Sequence, residues 1–309
     1  MATETYNRAM DRLHAGGVML LDGGVSTELQ RRGVPMTDEI WSGRASLDHW
    51  QVIVDMHRAY IDAGADVITA NTYASSRLML EPVGLADKVD EINQRSIDAA
   101  LTARDKSGAR SVLVAGSLSH AIPLQIRSKA EPVEDNLKDT ELLAAFREMV
   151  SIFSMGEVDL ILLEMMSKPN RMTAVFNALS ESELPVWCGL SARHDDSGTL
   201  VATHDARVPF KTNVAEAASQ NFDAWGVMHT SAELIDESLE VLRNSKHRLL
   251  MAYPDSGFIE MPNWQFVDIM TPDRFVQFTE SWVASGVQIV GGCCGLGPEH
   301  IAAIAHLKR

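Results

Sequence analysis

Short apolar runs alternate with stretches of helical periodicity along nearly the whole chain. Each run has the length and the Val, Ile, Leu and Ala content of a buried parallel strand. Eight runs predict strands, at residues 18–22, 66–70, 111–115, 159–163, 185–190, 224–228, 249–253 and 288–291. Helical spacing and helix-boundary residues predict a helix after each strand, at 47–63, 85–106, 140–155, 169–180, 214–220, 231–243, 272–284 and 298–307.

Eight strands that are each followed by a helix predict an α/β fold, a (β/α)8 TIM barrel. An open doubly wound sheet is the alternative, and the even count and regular spacing favour the barrel. The chain shows no linker and no low-complexity segment, so we expect residues 1–309 to form a single domain.

Four long loops are predicted, and every one of them follows a strand. They cover residues 24–46, 120–139, 192–211 and 254–270. Loops that follow strands lie at the carboxyl-terminal mouth of a barrel, where barrel enzymes carry out their chemistry. We therefore expect the functional site at this mouth.

Two adjacent cysteines, Cys293 and Cys294, end the eighth strand among glycines. Neighbouring side chains of a strand point to opposite faces, so both thiols share one target only if the backbone turns there. Gly291, Gly292 and Gly295 allow such a turn. Zinc is the expected target, because thiolate is a preferred zinc ligand. A turn with two buried free thiols is the alternative, and a disulfide between them would be strained.

Polar residues end or closely follow five of the other predicted strands at the same rim. They are Asp22, Asn71, Tyr73, Glu164, His229 and Tyr253. Two thiols and an imidazole match the donors that zinc prefers in sites with an open position. The carboxylates could hold an ammonium group. Taken singly, each residue has an ordinary alternative, such as a helix cap, a hydrogen-bonded core histidine or a packed tyrosine.

Charge and composition narrow the classes of partner. The formal net charge of −15 argues against nucleic acid or an anionic membrane and is compatible with a cationic small substrate. Three cysteines do not make a disulfide scaffold. No apolar stretch is long enough to span a bilayer, and residues 1–12 lack the apolar segment of a signal peptide. A cytoplasmic protein is the expectation.

Several motifs together resemble one known family. They are Leu20-Leu21-Asp22-Gly23-Gly24 with Thr27-Glu28-Leu29, Ile40-Trp41-Ser42, Ala70-Asn71-Thr72-Tyr73, Leu163-Glu164-Met165, Tyr253-Pro254-Asp255-Ser256-Gly257 and Gly291-Gly292-Cys293-Cys294-Gly295. The chain resembles the homocysteine S-methyltransferase family over nearly its whole length, and the last motif is the most diagnostic.

The resemblance implies a Zn2+-dependent barrel that methylates a thiol, most often homocysteine to give methionine. Cys293 and Cys294 would bind the zinc, and His229 stands where the family has a third cysteine ligand. Asp22 and Glu164 match the carboxylates that hold the amino group of homocysteine. The implied substrate-binding residues are Asp22, Gly23, Asn71, Tyr73, Glu164 and Tyr253. The metal-activated thiol needs no residue as catalytic acid or base.

The chain also departs from the family pattern. Asp255 replaces the usual asparagine, and Ser117-Leu118-Ser119-His120 replaces a frequent Ser-x-Gly-Pro. The implied methyl donor is a sulfonium or quaternary ammonium compound, for which aromatic faces are suitable. The candidates are Trp41, Tyr73, Trp187 and Trp264.

Two other functions stay open at this point. One is a metal-dependent demethylase or hydrolase-like enzyme of the same fold, and the other is a non-catalytic binding protein. The expected partners are a small-molecule methyl donor and a thiol, and a homo-oligomer is left open.

Overall fold

Eight parallel strands form the central sheet of the computed structural model, which describes residues 2–123, 137–244, 249–260 and 265–308. With the five strands of two smaller sheets, the described residues contain thirteen strands: β1 Met19–Leu20, β2 Val67–Thr69, β3 Leu113–Ser119, β4 Leu160–Met166, β5 Val186–Leu190, β6 Ala192–His194, β7 Leu200–Ala202, β8 Asp205–Pro209, β9 Ala224–Ser231, β10 Leu250–Asp255, β11 Phe258–Glu260, β12 Gln265–Val267 and β13 Ile289–Val290.

The central sheet is closed into a barrel. Its strand order is β1-β13-β10-β9-β5-β4-β3-β2. Leu21 forms a parallel bridge with Val67, which joins the two ends of that order. The predicted (β/α)8 barrel is confirmed, and the open sheet is excluded.

Helices surround the barrel. They are α1 Glu4–His14, α2 Val25–Arg31, α3 Ala45–Asp48, α4 Trp50–Asp62, α5 Arg77–Leu80, α6 Val89–Ser107, α7 Asp139–Met155, α8 Pro169–Leu179, α9 Phe210–Ala218, α10 Ile235–Arg243, α11 Pro272–Ala284 and α12 Pro298–Ala303. Short 3₁₀ turns are Glu81–Val83, Ala86–Lys88, Ala232–Leu234 and Ala305–Leu307. Within the described residues, no helix combines the length and the apolarity needed to cross a bilayer.

The helix α1 was not predicted, because the first residues look polar overall. Thr3 caps it by accepting a hydrogen bond from the backbone N–H of Tyr6 at 3.1 Å. Its buried residues Tyr6, Met10 and Leu13 follow helical spacing and pack with the residues that fill the barrel interior. The helix therefore covers the amino-terminal end of the barrel.

Trp187 belongs to this covered end rather than to the mouth. Its indole N–H donates to the hydroxyl of Tyr6 at 2.9 Å, and that hydroxyl donates to Asp223 at 2.7 Å. Trp187 is fully buried. The prediction that it offers an aromatic face to a methyl donor is therefore wrong, since it lies near the start of its strand.

Two small antiparallel sheets lie in loops at the mouth of the barrel. One is the three-stranded sheet β6-β7-β8, inserted between β5 and α9. The other is the pair β11-β12, which follows β10. Sequence analysis predicted both segments only as long loops, because such short strands carry little periodicity of their own.

Candidate active site

The two adjacent cysteines sit in a turn that backbone hydrogen bonds hold in place. The N–H of Cys293 donates to the carbonyl of Pro254 at 2.8 Å, and the carbonyl of Cys294 accepts from Ser256 at 2.9 Å. Gly295 has a φ of 82°, in the left-handed region that favours glycine. Gly291 allows the backbone to pack closely against Leu21, since a Cβ at this position would lie 2.5 Å from the Cβ of Leu21.

The side chain of His229 reaches the same point from β9. Its Nδ1 lies 3.6 Å from Sγ of Cys293, and the two cysteine sulfurs are 3.8 Å apart. The φ of His229 is 42°, which is unusual for a residue with a side chain. Its carbonyl accepts a hydrogen bond from the hydroxyl of Ser191 at 3.0 Å, which helps to hold this conformation.

The spacing of these three donors fits a tetrahedral metal ion. Two sulfur ligands ~2.3 Å from such an ion lie ~3.8 Å apart, and a sulfur and an imidazole nitrogen lie ~3.6 Å apart. The observed separations are 3.8 Å and 3.6 Å. The cluster of His229, Cys293 and Cys294 could therefore hold a metal ion, with all three donor atoms within 4.8 Å of one another.

A carboxylate adjoins this cluster. Oδ2 of Asp255 lies 3.8 Å from Nδ1 of His229. Burial works to lower the pKa of His229, but the hydrogen bond and charge of Cys293 and the charge of Asp255 outweigh it and raise the pKa to about 9. The adjacent Cys294 sulfur and burial raise the pKa of Cys293. A metal ion that binds here must displace the protons these groups hold.

Asp22 and Glu164 form a pair of carboxyl groups near the cluster, the first buried and the second half-buried. Asp22 accepts hydrogen bonds from the backbone N–H of Thr69 at 2.6 Å and from its hydroxyl at 2.9 Å. Glu164 accepts from the hydroxyl of Ser117. Burial raises the pKa of Asp22 to about 7, although the Thr69 hydrogen bonds oppose the shift. Burial likewise raises the pKa of Glu164 to about 7, against the Ser117 hydrogen bond.

The carboxyl pair and the donor cluster line one cavity of about 280 Å³. Its lining includes Asp22, Gly23, Trp41, Thr69, Tyr73, Glu164, Met165, His204, Met228, His229, Tyr253, Cys293 and Cys294. The rings of Trp41 and Tyr73 stand 5.8 Å apart between centroids, tilted by 49°. Among the described residues that line this cavity, none is Lys or Arg, so the wall suits cationic groups.

Tyr253 and Gly23 lie in the cavity wall as expected. The hydroxyl of Tyr253 is buried and finds no hydrogen-bond partner among the described residues, so it is available to a ligand. Gly23 is required by close packing, since a Cβ there would lie 2.1 Å from the carbonyl oxygen of Leu296.

Asn71 is not among the residues that line the cavity, and its role as a substrate-binding residue stays a prediction. Its side-chain amide donates to the carbonyl of Ser42 at 2.9 Å and accepts from the Ser42 hydroxyl at 2.8 Å. Both halves of the amide are thus used to hold the residue that follows Trp41. Through Ser42, Asn71 helps to position the neighbouring Trp41, which lines the cavity. Trp264 lies outside the described residues.

Comparison with known proteins shows the family to which the chain belongs. Residues 19–307 match the family model described as homocysteine S-methyltransferase. The chain belongs to the homocysteine S-methyltransferase family. The predicted activity as an S-methyltransferase, which transfers a methyl group to a thiol, is thereby confirmed.

Related proteins align with this methyltransferase over nearly its full length. It is 27% identical to a selenocysteine Se-methyltransferase of Brassica oleracea var. italica, over 97% of this chain and 92% of that protein. It is 27% identical to betaine–homocysteine S-methyltransferase 1 of Rattus norvegicus, over 96% of this chain and 73% of the relative. The homocysteine methyltransferase MmuM of Escherichia coli has the same fold, with a TM-score of 0.76, 22% identity and coverage of 94% and 96%.

Three residues in or beside the methyltransferase cavity were not predicted as site residues; Thr69 and His204 line it, and Ser117 contacts Glu164. Thr69 orients Asp22, Ser117 donates to Glu164, and His204 lies in the turn between β7 and β8. Thr69 lies in a predicted strand, and its inward direction follows from strand alternation once the mouth is located. Ser117 lies in β3 beyond residue 115, where the predicted strand ends. His204 carries no such signal, because it lies in a long segment predicted as a loop.

Proposed function

We propose that this enzyme transfers a methyl group from a sulfonium or quaternary ammonium donor to the thiol of homocysteine, giving methionine. The observation that carries the proposal is a single cavity that joins three soft metal donors to two carboxyl groups, one buried and one half-buried. The first set suits a thiol and the second suits the ammonium group of an amino acid. Homocysteine carries both groups, four bonds apart.

Zinc is the metal we assign to His229, Cys293 and Cys294, because imidazole and thiolate are its usual donors. When bound, zinc would supply the Lewis acidity that lowers the pKa of the substrate thiol. Asp22 and Glu164 bind the ammonium group, which in turn favours their ionised forms. The hydroxyl groups of Thr69 and Ser117 orient these carboxyl groups by donating hydrogen bonds to Asp22 and Glu164, respectively.

The reaction is a direct displacement at the methyl carbon. The homocysteine sulfur forms the new S–C bond, and the bond between that carbon and the positively charged sulfur or nitrogen of the donor breaks. The bonding electrons stay with the donor, whose sulfur or nitrogen thereby becomes neutral, and the thiol proton of homocysteine is released to solvent. The protein's task is to align the three atoms. Trp41 and Tyr73 receive the cationic methyl group on their ring faces.

The proposed function is tested with a panel of donors. Purified protein, reconstituted with zinc, is incubated with homocysteine and a series of methylated sulfonium and ammonium compounds, and methionine is measured by mass spectrometry. We expect methionine with at least one donor, and loss of the activity in protein stripped by a chelator and its return on adding zinc. Zinc-loaded protein that forms no methionine with any donor would contradict the proposal.

His229 is proposed as the third zinc ligand, and two substitutions test it. His229→Ala should weaken zinc binding roughly 100-fold, because ~10–16 kcal/mol of binding shared among three or four ligands is ~3 kcal/mol each. His229→Cys should retain zinc. Affinity is measured by competition with a chelator of known strength. His306→Ala, at an exposed histidine far from the cluster, is the control. Unchanged zinc affinity in His229→Ala would exclude the assignment.

A further inference from the structure

Strand β4 carries a bulge where it reaches the cavity. The register between β4 and β5 shifts between Leu163 and Met166. The two residues in between, Glu164 and Met165, stand opposite a single residue of β5, and both line the cavity. Such a bulge disrupts the ladder of hydrogen bonds and re-aims the side chains beside it. The direction of the Glu164 side chain therefore depends on what holds the bulge.

Met165 adopts a backbone conformation that needs support. Its φ is 60°, in the left-handed region that is unfavourable for a residue with a side chain. Its backbone N–H donates to Sδ of Met228 at 3.1 Å, and both residues are buried. A backbone N–H that is buried without an acceptor is costly, so the thioether of Met228 stabilises the bulge by satisfying this donor.

A glycine makes the contact between the two methionines possible. Strand β5 lies between β4 and β9, so the Met228 side chain must cross it to reach Met165. Gly189 of β5 leaves the space, since a Cβ there would lie 2.7 Å from Cγ of Met228. A larger residue at this position would move the sulfur away from the Met165 N–H.

Each of the two methionines adjoins a functional residue of the cavity. Glu164 directly precedes Met165, and His229 directly follows Met228. His229 also has a left-handed backbone, with a φ of 42°. The hydrogen bond between Met165 and Met228 therefore connects the carboxyl group proposed to bind an ammonium group with the proposed metal ligand.

We propose that Met228 is a positioning residue that sets the distance between the carboxyl group of Glu164 and the imidazole of His229. The inference rests on the proposed function. In homocysteine the thiol lies four bonds from the ammonium nitrogen, and in cysteine it lies three bonds away. A fixed distance between the two binding groups lets homocysteine occupy both at once, whereas cysteine can occupy only one. Met228 therefore acts on the choice between these amino acids and takes no part in the bond changes.

Met228→Leu tests this role, because leucine has a similar volume and no hydrogen-bond acceptor. We expect the amide hydrogen of Met165 to exchange with solvent roughly 2–10-fold faster, the range for one neutral hydrogen bond. In calorimetry on zinc-loaded protein, homocysteine binding should weaken by a similar factor while cysteine binding changes little. The preference for homocysteine over cysteine should therefore fall roughly 2–10-fold.

A loss of packing alone would act on both amino acids alike. Equal weakening of homocysteine and cysteine binding in Met228→Leu, or an unchanged exchange rate at Met165, would overturn the inference. Met228→Asn places an acceptor oxygen at the δ position of the side chain and should restore part of the preference. Met19→Leu, at a buried methionine of the barrel interior that does not line the cavity, is the control and should change neither measurement.

Failure of the proposed function has a separate signature. Zinc-loaded wild-type protein that binds neither amino acid would contradict the proposed function. The exchange rate of the Met165 amide needs no ligand and no metal, so it would still decide whether the Met228 thioether holds the bulge.

Discussion

Replacing Cys293 and Cys294 together with serine should abolish zinc binding and lower methionine formation at least ~1000-fold, since a catalytic metal supplies several kcal/mol. A serine hydroxyl is a poor substitute for thiolate as a zinc ligand. The turn should keep its shape, because the backbone of both cysteines makes the hydrogen bonds to Pro254 and Ser256. Elemental analysis and methionine formation measure the two effects, and circular dichroism checks the fold.

Cys188 provides the matched control for the cysteine pair. It is a fully buried free thiol in β5, away from the donor cluster. Cys188→Ala should retain zinc and activity and lose about 1–2 kcal/mol of stability through the small cavity it leaves. Full zinc occupancy in the double serine variant would refute the assignment of these thiols as ligands.

Asp22→Asn should raise the free energy of unfolding at pH 8 and lower the affinity of the protein for an amino acid. Burial raises the pKa of Asp22 from 3.8 to about 7, so the folded protein keeps a proton that the unfolded chain releases above about pH 4. Stability therefore falls as pH rises through this window. Asparagine removes that loss, a gain of about 1–4 kcal/mol at pH 8. Binding of an ammonium group should weaken by about 1.5–3 kcal/mol.

Norleucine separates this effect from titration of a substrate thiol, because it carries an ammonium group and no sulfur. Its affinity for the wild-type protein should rise between pH 6 and pH 8, as Asp22 and Glu164 ionise, and should rise less in Asp22→Asn. Urea unfolding at both pH values measures stability. Asp66→Asn is the contrasting control, because Asp66 pairs with Arg12 and Lys308 and its loss should lower stability without changing norleucine binding. A variant that binds norleucine as tightly as wild type would contradict the role of Asp22.

The barrel could be predicted from the sequence because buried parallel strands are continuous apolar runs with a helix between them. The predicted strands also indicated which residues lie at the mouth, because the carboxyl-terminal end of every barrel strand lies there. Asp22, Glu164, His229 and the two cysteines were found in this way, and all line one cavity. The prediction for Trp187 was wrong because Trp187 is an early residue of β5, so its side chain lies toward the amino-terminal end of the barrel.

Other features depend on contacts that no local pattern reveals. The amphipathic face of α1 contains only three buried side chains, at Tyr6, Met10 and Leu13, within a polar segment. Asn71 was placed in the site because it ends a strand, yet Ser42 satisfies its amide. His204 reaches the cavity only because two short strands fold a loop back over the mouth.

The closure of the barrel determines when the proposed zinc site can form during synthesis. The strand β1 pairs with β13, through Met19 with Ile289 and Leu20 with Val290. A nascent chain that has not yet extended to β13 has an open seam and lacks both thiols. Backbone hydrogen bonds join the cysteine turn to Pro254 and Ser256, and the N–H of Gly292 donates to the carbonyl of Asp22 at 3.0 Å. The zinc site proposed at this turn can therefore form only after the whole barrel has been translated.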